Sequence, residues 1–127
     1  MILRLQSGTS IVLVAVALLS GCGKSPESTV ESFYRALAKG EITEAKGYVS
    51  AQLIGMMGGG KLSAALSSET ERIRACGGIK SIEVKMQGEG EIRSGTATVT
   101  YSGKCPPKTE NTKLIKEDGK WKITASK

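Results

Sequence analysis

Ile82-Glu83-Val84-Lys85-Met86-Gln87 is the stretch that decides the fold. Apolar and polar residues alternate strictly across it, the period-two pattern of a half-buried strand. Everything before it reads with a helical period, and everything after it reads as more strand. Gly88-Glu89-Gly90 turns the chain, and from Ile92 a second strand places Ala97, Val99 and Tyr101 in alternation with Thr96, Thr98 and Thr100. The segment from Gly103 to Pro107 breaks that run and puts Cys105 at or just past its end. Lys113-Leu114-Ile115-Lys116 and Lys120-Trp121-Lys122-Ile123 then flank Glu117-Asp118-Gly119. Asp-Gly between two strand-like runs is a strong hairpin signal. A two-residue turn at Asp118-Gly119 pairs Leu114 with Ile123 and Lys116 with Trp121 on one face.

Upstream, Ser25-Pro26 has the form of a helix start, with serine as N-cap and proline at the first helical position. Val30, Phe33, Tyr34 and Leu37 form one apolar face, and Lys39-Gly40 ends the helix. A second helix is expected from Ile42 to Leu53, buried along Ile42, Ala45, Val49 and Leu53 and weakened by Gly47. Gly55-Met56-Met57-Gly58-Gly59-Gly60-Lys61 has too much glycine for a stable helix interior and reads as a flexible hinge or lip. It is no phosphate loop, because Leu62 stands where GxxxxGK[ST] requires serine or threonine. A third helix runs from Leu62 to Ala75, with Leu62, Leu66 and Ile73 inward, and Cys76-Gly77-Gly78 stops it. Three helices followed by about four antiparallel strands make an α+β fold, with the N-terminal helices packed on a curved sheet. No internal repeat or low-complexity tract is present.

The N-terminus carries a different signal. The nine apolar residues from Ile11 to Leu19 span roughly 14 Å as a helix, too short for a hydrocarbon core of about 30 Å. That length suits the apolar region of a signal peptide. Leu19-Ser20-Gly21-Cys22 follows, and this tetrapeptide resembles the lipobox of bacterial lipoproteins at all four positions. The resemblance implies diacylglyceryl transfer to the Cys22 thiol, cleavage between Gly21 and Cys22, and acylation of the new amino terminus. Residues 1–21 are then a signal peptide, 22–25 the lipidated anchor and tether, and 26–127 one domain. An ordinary secretory signal with an incidental Cys22, or an uncleaved N-terminal helix, are the alternatives. Gly23 rather than Asp after the cysteine leans toward the periplasmic face of the outer membrane, if the host is Gram-negative.

Removing the first 21 of 127 residues leaves 106, enough for one small domain and not two. The net charge is +6, but the 18 basic residues are spread among 12 acids, a solvated mixed surface. With an export signal, one Trp, one Phe and three Tyr, the composition argues against nucleic-acid binding. If Cys22 carries lipid, Cys76 and Cys105 remain, and outside the cytoplasm two such thiols most simply form a disulfide. The 30-residue loop so closed is worth roughly 3.6 kcal/mol in a chain-entropy treatment. No histidine and no CxxC spacing are present, so no metal site is expected.

Three features together carry a further resemblance: Ser25-Pro26 opening a helix with Phe33-Tyr34 at its middle, Ala38-Lys39-Gly40-Glu41-Ile42-Thr43-Glu44-Ala45 linking two helices, and the closing Glu117-to-Ile123 hairpin. Over about residues 25–125 the chain resembles small bacterial lipoproteins with a nuclear-transport-factor-two-like, cystatin-type cone domain of unknown function. The resemblance implies helices cupped in a strongly bent antiparallel sheet. Relatives in the wider superfamily include isomerases and dehydratases as well as binders and scaffolds, so the fold leaves function open.

Proton-moving cones use Asp or His in an apolar cavity. This chain has no His, and its one Asp, Asp118, falls in the hairpin turn. Glu31, Glu44 and Glu83 are the remaining candidates for a general base, and each lies on or near a polar face. No catalytic residue, cofactor or metal is therefore expected, and the chain is read as a non-enzyme. Tyr34, Tyr48 and Tyr101 are available to line a cavity, with core packing as the plainer reading, and Trp121 is expected in the core at the sheet end. The expected function is a lipid-anchored envelope protein with an interaction or scaffold role, using an exposed apolar patch around Ile54 to Leu62 to meet an envelope protein. The alternative is a module that binds a small apolar ligand in the cavity between helices and sheet.

Overall fold

The computed structural model describes residues 23–125; the leader, the lipobox and Cys22 lie outside the described residues. The chain runs through α1 (Pro26–Lys39), α2 (Ile42–Lys46), α3 (Ala51–Met57) and α4 (Gly59–Ala75), then β1 (Ile79–Gln87), β2 (Ile92–Tyr101), β3 (Lys108–Glu117) and β4 (Lys120–Thr124). The strands form one antiparallel sheet in the order β1-β2-β3-β4. Helix α1 lies against β1 and β4, and α4 packs on α1 and α2.

Helix α1 forms where its caps put it. The Ser25 hydroxyl accepts from the Ser28 N–H at 3.1 Å, and the N–H groups of Gly40 and Glu41 return to the carbonyls of Leu37 and Ala36. The Thr70 hydroxyl on α4 donates to the Leu37 carbonyl at 2.7 Å, so the second lone pair of a helix-end acceptor is used to join two helices. Val30, Tyr34 and Leu37 are buried and meet Leu62, Leu66 and Ile73 of α4 and Ala97, Val99, Tyr101 and Leu114 of the sheet in one core. Each fully buried aliphatic side chain here contributes about 1.5–3 kcal/mol of burial.

The strands follow the alternation. Ile82, Val84 and Met86 are half-buried, while Glu83, Lys85 and Gln87 are exposed. At the last hairpin Asp118 and Gly119 both take left-handed backbone (φ 51° and 78°), and Leu114 faces Ile123 and Lys116 faces Trp121. Cys76, at the end of α4, and Cys105, in the β2–β3 connection, are joined as a disulfide with Cα atoms 5.4 Å apart. The bond ties the helical layer to the sheet.

Two expectations about the helices are corrected. The helix expected from Ile42 to Leu53 is two helices, because α2 ends at Gly47 and the chain goes extended before α3 begins. Tyr48, Val49 and Ser50 lie alongside β4 instead: the Ile123 N–H donates to the Tyr48 carbonyl at 2.7 Å, and the Ser50 N–H donates to the Ile123 carbonyl at 2.8 Å. Ser50, fully buried, then caps α3 by accepting from the Leu53 N–H at 3.0 Å and donates to the Thr124 hydroxyl at 2.9 Å. The Glu117 carboxylate accepts from the Ala51 N–H and completes the cap. The glycine-rich hinge is also replaced by helix. Only Gly58 breaks the run, with φ 90°, while Gly59 and Gly60 occupy the first turn of α4. The described residues thus hold four helices rather than three.

Candidate functional site

Trp121 organises a surface groove of about 280 Å³, lined by Gly23, Lys24, Thr29, Gly47, Tyr48, Lys120 and Lys122 beside it. The start of the described chain, the α2–α3 corner and β4 meet there. Trp121 was expected in the core at the sheet end; it is half-buried on the edge strand β4 and packs against the margin of the core. Its ring is also met by two cations, with the Arg93 guanidinium 4.8 Å and the Lys116 ammonium 5.3 Å from its centroid. Lys122 reaches across the corner and donates to the Gly47 carbonyl at 2.5 Å. A second open groove of about 380 Å³ shares Gly47, Lys120 and Lys122 with the first and continues past Val49, Ala51 and Ile54.

The other polar constellation sits where α1 crosses β3. The Tyr34 hydroxyl donates to Glu110 Oε1 at 2.7 Å, and Lys108 Nζ lies 3.2 Å from Glu110 Oε2. Burial, then the hydrogen bond to Glu110, pushes the Tyr34 hydroxyl far above its usual range. Burial alone would raise the Glu110 carboxyl; hydrogen bonds from Tyr34 and Lys108 and the charges of Lys108 and Arg72 outweigh it and lower the group. Nearby, Arg72 is held in its charged form by Glu69 and Tyr101, donating to the Tyr101 hydroxyl at 2.7 Å. A tyrosine that keeps its proton and a carboxylate that stays ionised form a fixed contact and make a poor acid–base pair. The cleft beside them holds about 190 Å³, under the roughly 300–1,000 Å³ of small-molecule pockets.

The residues singled out from the sequence are dispersed. Glu31 and Glu44 are exposed on a shared polar groove, and Glu83 is exposed on β1. Tyr34 and Tyr101 are core, whereas Tyr48 lines the Trp121 groove. The apolar patch expected from Ile54 to Leu62 contracts to Met56, 68% exposed, since Leu62 is buried and Ile54 and Met57 pack against the core. Glu110 and the lysines of the Trp121 groove were not singled out; long-range pairing alone gathers them. Among the described residues no group of three or more His, Cys, Asp or Glu could hold a metal ion. Among them, too, no helix is long and apolar enough to cross a membrane.

No protein-family model matches the chain. No curated protein matches it either. Among solved structures it is similar to a Campylobacter jejuni protein provisionally described as an NTF2-like transpeptidase, with a TM-score of 0.71 at 16% identity, covering 81% of this chain and 100% of that one. At that identity the likeness speaks for fold alone. The described domain is an α+β NTF2-like cone, four helices on an open four-stranded antiparallel sheet.

Proposed function

We infer that this chain is a lipid-anchored bacterial cell-envelope protein whose cone domain acts by contact and not by catalysis. The observation that carries the reading is the tetrapeptide Leu19-Ser20-Gly21-Cys22, and the shortness of the tether after it says where the domain would sit. Helix α1 is already capped at Ser25, so only Gly23 and Lys24 separate a lipid on Cys22 from the folded domain. At no more than about 3.5 Å per residue, such a link keeps the domain at the bilayer surface. The Cys76–Cys105 disulfide fits an oxidising, extracytoplasmic environment. The non-catalytic part of the reading draws on the locked Tyr34–Glu110 contact and on the small size of the cleft beside it.

The test is membrane fractionation and acyl-chain labelling of a Cys22→Ala variant. Loss of both supports the anchor, and a variant that still sediments with membranes overturns it. A second reading, a module for a small apolar ligand, moves its site from the small cleft between α1 and the sheet to the open groove beside Trp121 and Tyr48. Quenching or a spectral shift of Trp121, the only tryptophan, on adding apolar probes would favour it.

A further inference from the structure

Helix α3 has an unusual surface. Its sequence, Ala51-Gln52-Leu53-Ile54-Gly55-Met56-Met57, contains no charge, and none of its residues is buried. The uncharged run extends from Gly47 to Gly60 and is bracketed by Lys46 and Lys61. One exposed methionine is ordinary surface. Leu53, Ile54 and Met57 pack their inner sides on the core, which leaves Met56 as the exposed apolar tip. An uncharged helix rimming the core between two lysines, with an apolar tip outward, fits an element that touches a membrane interface with its ammonium groups at the headgroups.

The position of α3 supplies the second argument. The two grooves share Gly47, Lys120 and Lys122, so one surface runs from Gly23 to Ile54. Lys24, Lys46, Lys120 and Lys122 stand on it, against the two carboxylates of Glu117 and Asp118. The Glu117 carboxylate is engaged by the first N–H of α3. Lys46 is steadied by Ser63 Oγ at 3.1 Å and Lys122 by the Gly47 carbonyl. On the other side of Lys24 the neighbouring groove is balanced, with Glu31, Glu41 and Glu44 facing Lys24, Arg35 and Lys39. Of the two sides of Lys24, the α3 side carries the positive excess, and the chain meets the domain beside it.

We propose that the surface from Gly23 to α3 seats the domain on an anionic phospholipid membrane, with its lysines on the lipid phosphates and Met56 at the acyl boundary. This rests on the lipid-anchor reading, and adds a fixed orientation to it. The anchor holds the domain near the bilayer; the lysines and α3 determine which face meets the bilayer.

The experiment uses the intact lipidated protein in vesicles of phosphatidylethanolamine and phosphatidylglycerol, and in vesicles of phosphatidylcholine alone. Flotation reads the anchor, and amide hydrogen exchange across residues 51–57 reads docking. On the anionic vesicles exchange should slow about tenfold, as for a segment docked roughly nine-tenths of the time. On the neutral vesicles it should match the protein in detergent. A Lys24→Gln, Lys120→Gln double variant, both positions exposed, should float equally well but lose docking about fivefold per lysine. Met56→Asp should do the same without changing the fold. Flotation without slower exchange, or equal slowing on both vesicles, overturns the proposal and leaves the anchor standing. Failure of the unaltered protein to float overturns the anchor, and the seat with it.

Discussion

Gly95 is the position where one added methyl group should do the most damage. It lies within β2, opposite Met86 of β1 and Thr112 of β3. A Cβ there would collide with the Lys85 carbonyl oxygen and sit 2.8 Å from both the Lys85 carbonyl carbon and Met86 Cα. Carbon atoms prefer separations of about 3.5–4.0 Å, so the strands would have to part by most of an ångström or more. All three atoms are backbone, and no side-chain rotation relieves the contact. Parting β1 from β2 sacrifices ladder hydrogen bonds at roughly 0.5–1.5 kcal/mol each. Overpacking strain adds typically 1–3 kcal/mol. A loss of about 3–4 kcal/mol for Gly95→Ala follows, out of a total of about 5–15 kcal/mol for a domain of this kind. At about 4–8 °C per kcal/mol, Tm should fall by roughly 12–30 °C in a circular-dichroism melt. Gly55→Ala is the matched control: it lies inside α3 with nothing within 4 Å of the added carbon, and should stabilise by about 0.5–1 kcal/mol. If Gly95→Ala melted within about 2 °C of the unaltered protein, the close approach of β1 and β2 at Gly95 would be wrong.

Ser50→Ala should cost about 1–3 kcal/mol in urea denaturation, since it removes the α3 cap and leaves the buried Thr124 hydroxyl without its partner; a loss under about 0.5 kcal/mol would refute that joint role. Reducing the Cys76–Cys105 bond should cost about 2–4 kcal/mol, read as a lower urea midpoint in reductant, and thiol labelling of the unreduced protein should leave both cysteines unmodified. Glu110 titrates below its ordinary value in the folded protein, so its contribution is present above the unfolded carboxyl pKa and is lost as pH falls through the folded one. Glu110→Gln should therefore flatten the acid limb of a stability–pH curve below about pH 4 and leave the neutral region's slope unchanged; an unaltered acid limb would remove Glu110 from that linkage.

What could be read from the sequence was what short-range chemistry controls. Ser25-Pro26 and Lys39-Gly40 bound α1 because capping is a contact over three or four residues. Asp118-Gly119 set the hairpin register because two left-handed residues admit one alignment of the flanking strands. The break between α2 and α3 was hidden because Ile42, Ala45, Val49 and Leu53 satisfy a helical period whether or not the helix continues. What breaks it is the bond pair between Tyr48–Ser50 and Ile123, more than seventy positions away. A local trace was present all the same, since Ser50 stands three residues before Leu53 as an N-cap should. The glycine run was misjudged by weighing every glycine as helix interior, when Gly59 and Gly60 fall in a first turn whose N–H groups lack intrahelical partners anyway. The candidate surface was the least legible part. Its lysines come from the tether, the α2 end and β4, and only the packed chain sets them side by side.

The strand-like passage of Tyr48 to Ser50 along β4 has a consequence for how this domain can meet other chains. An open sheet ends in two rows of unpaired backbone groups, each a template for another strand. Here one row is occupied at Ile123 by the molecule's own backbone, and the α2–α3 corner stands in front of it. The opposite row, along the nine residues of β1, carries the exposed charges of Lys80, Glu83 and Lys85. A partner that recognises this cone by adding a strand has β1 as its site, and needs charges that complement those three residues.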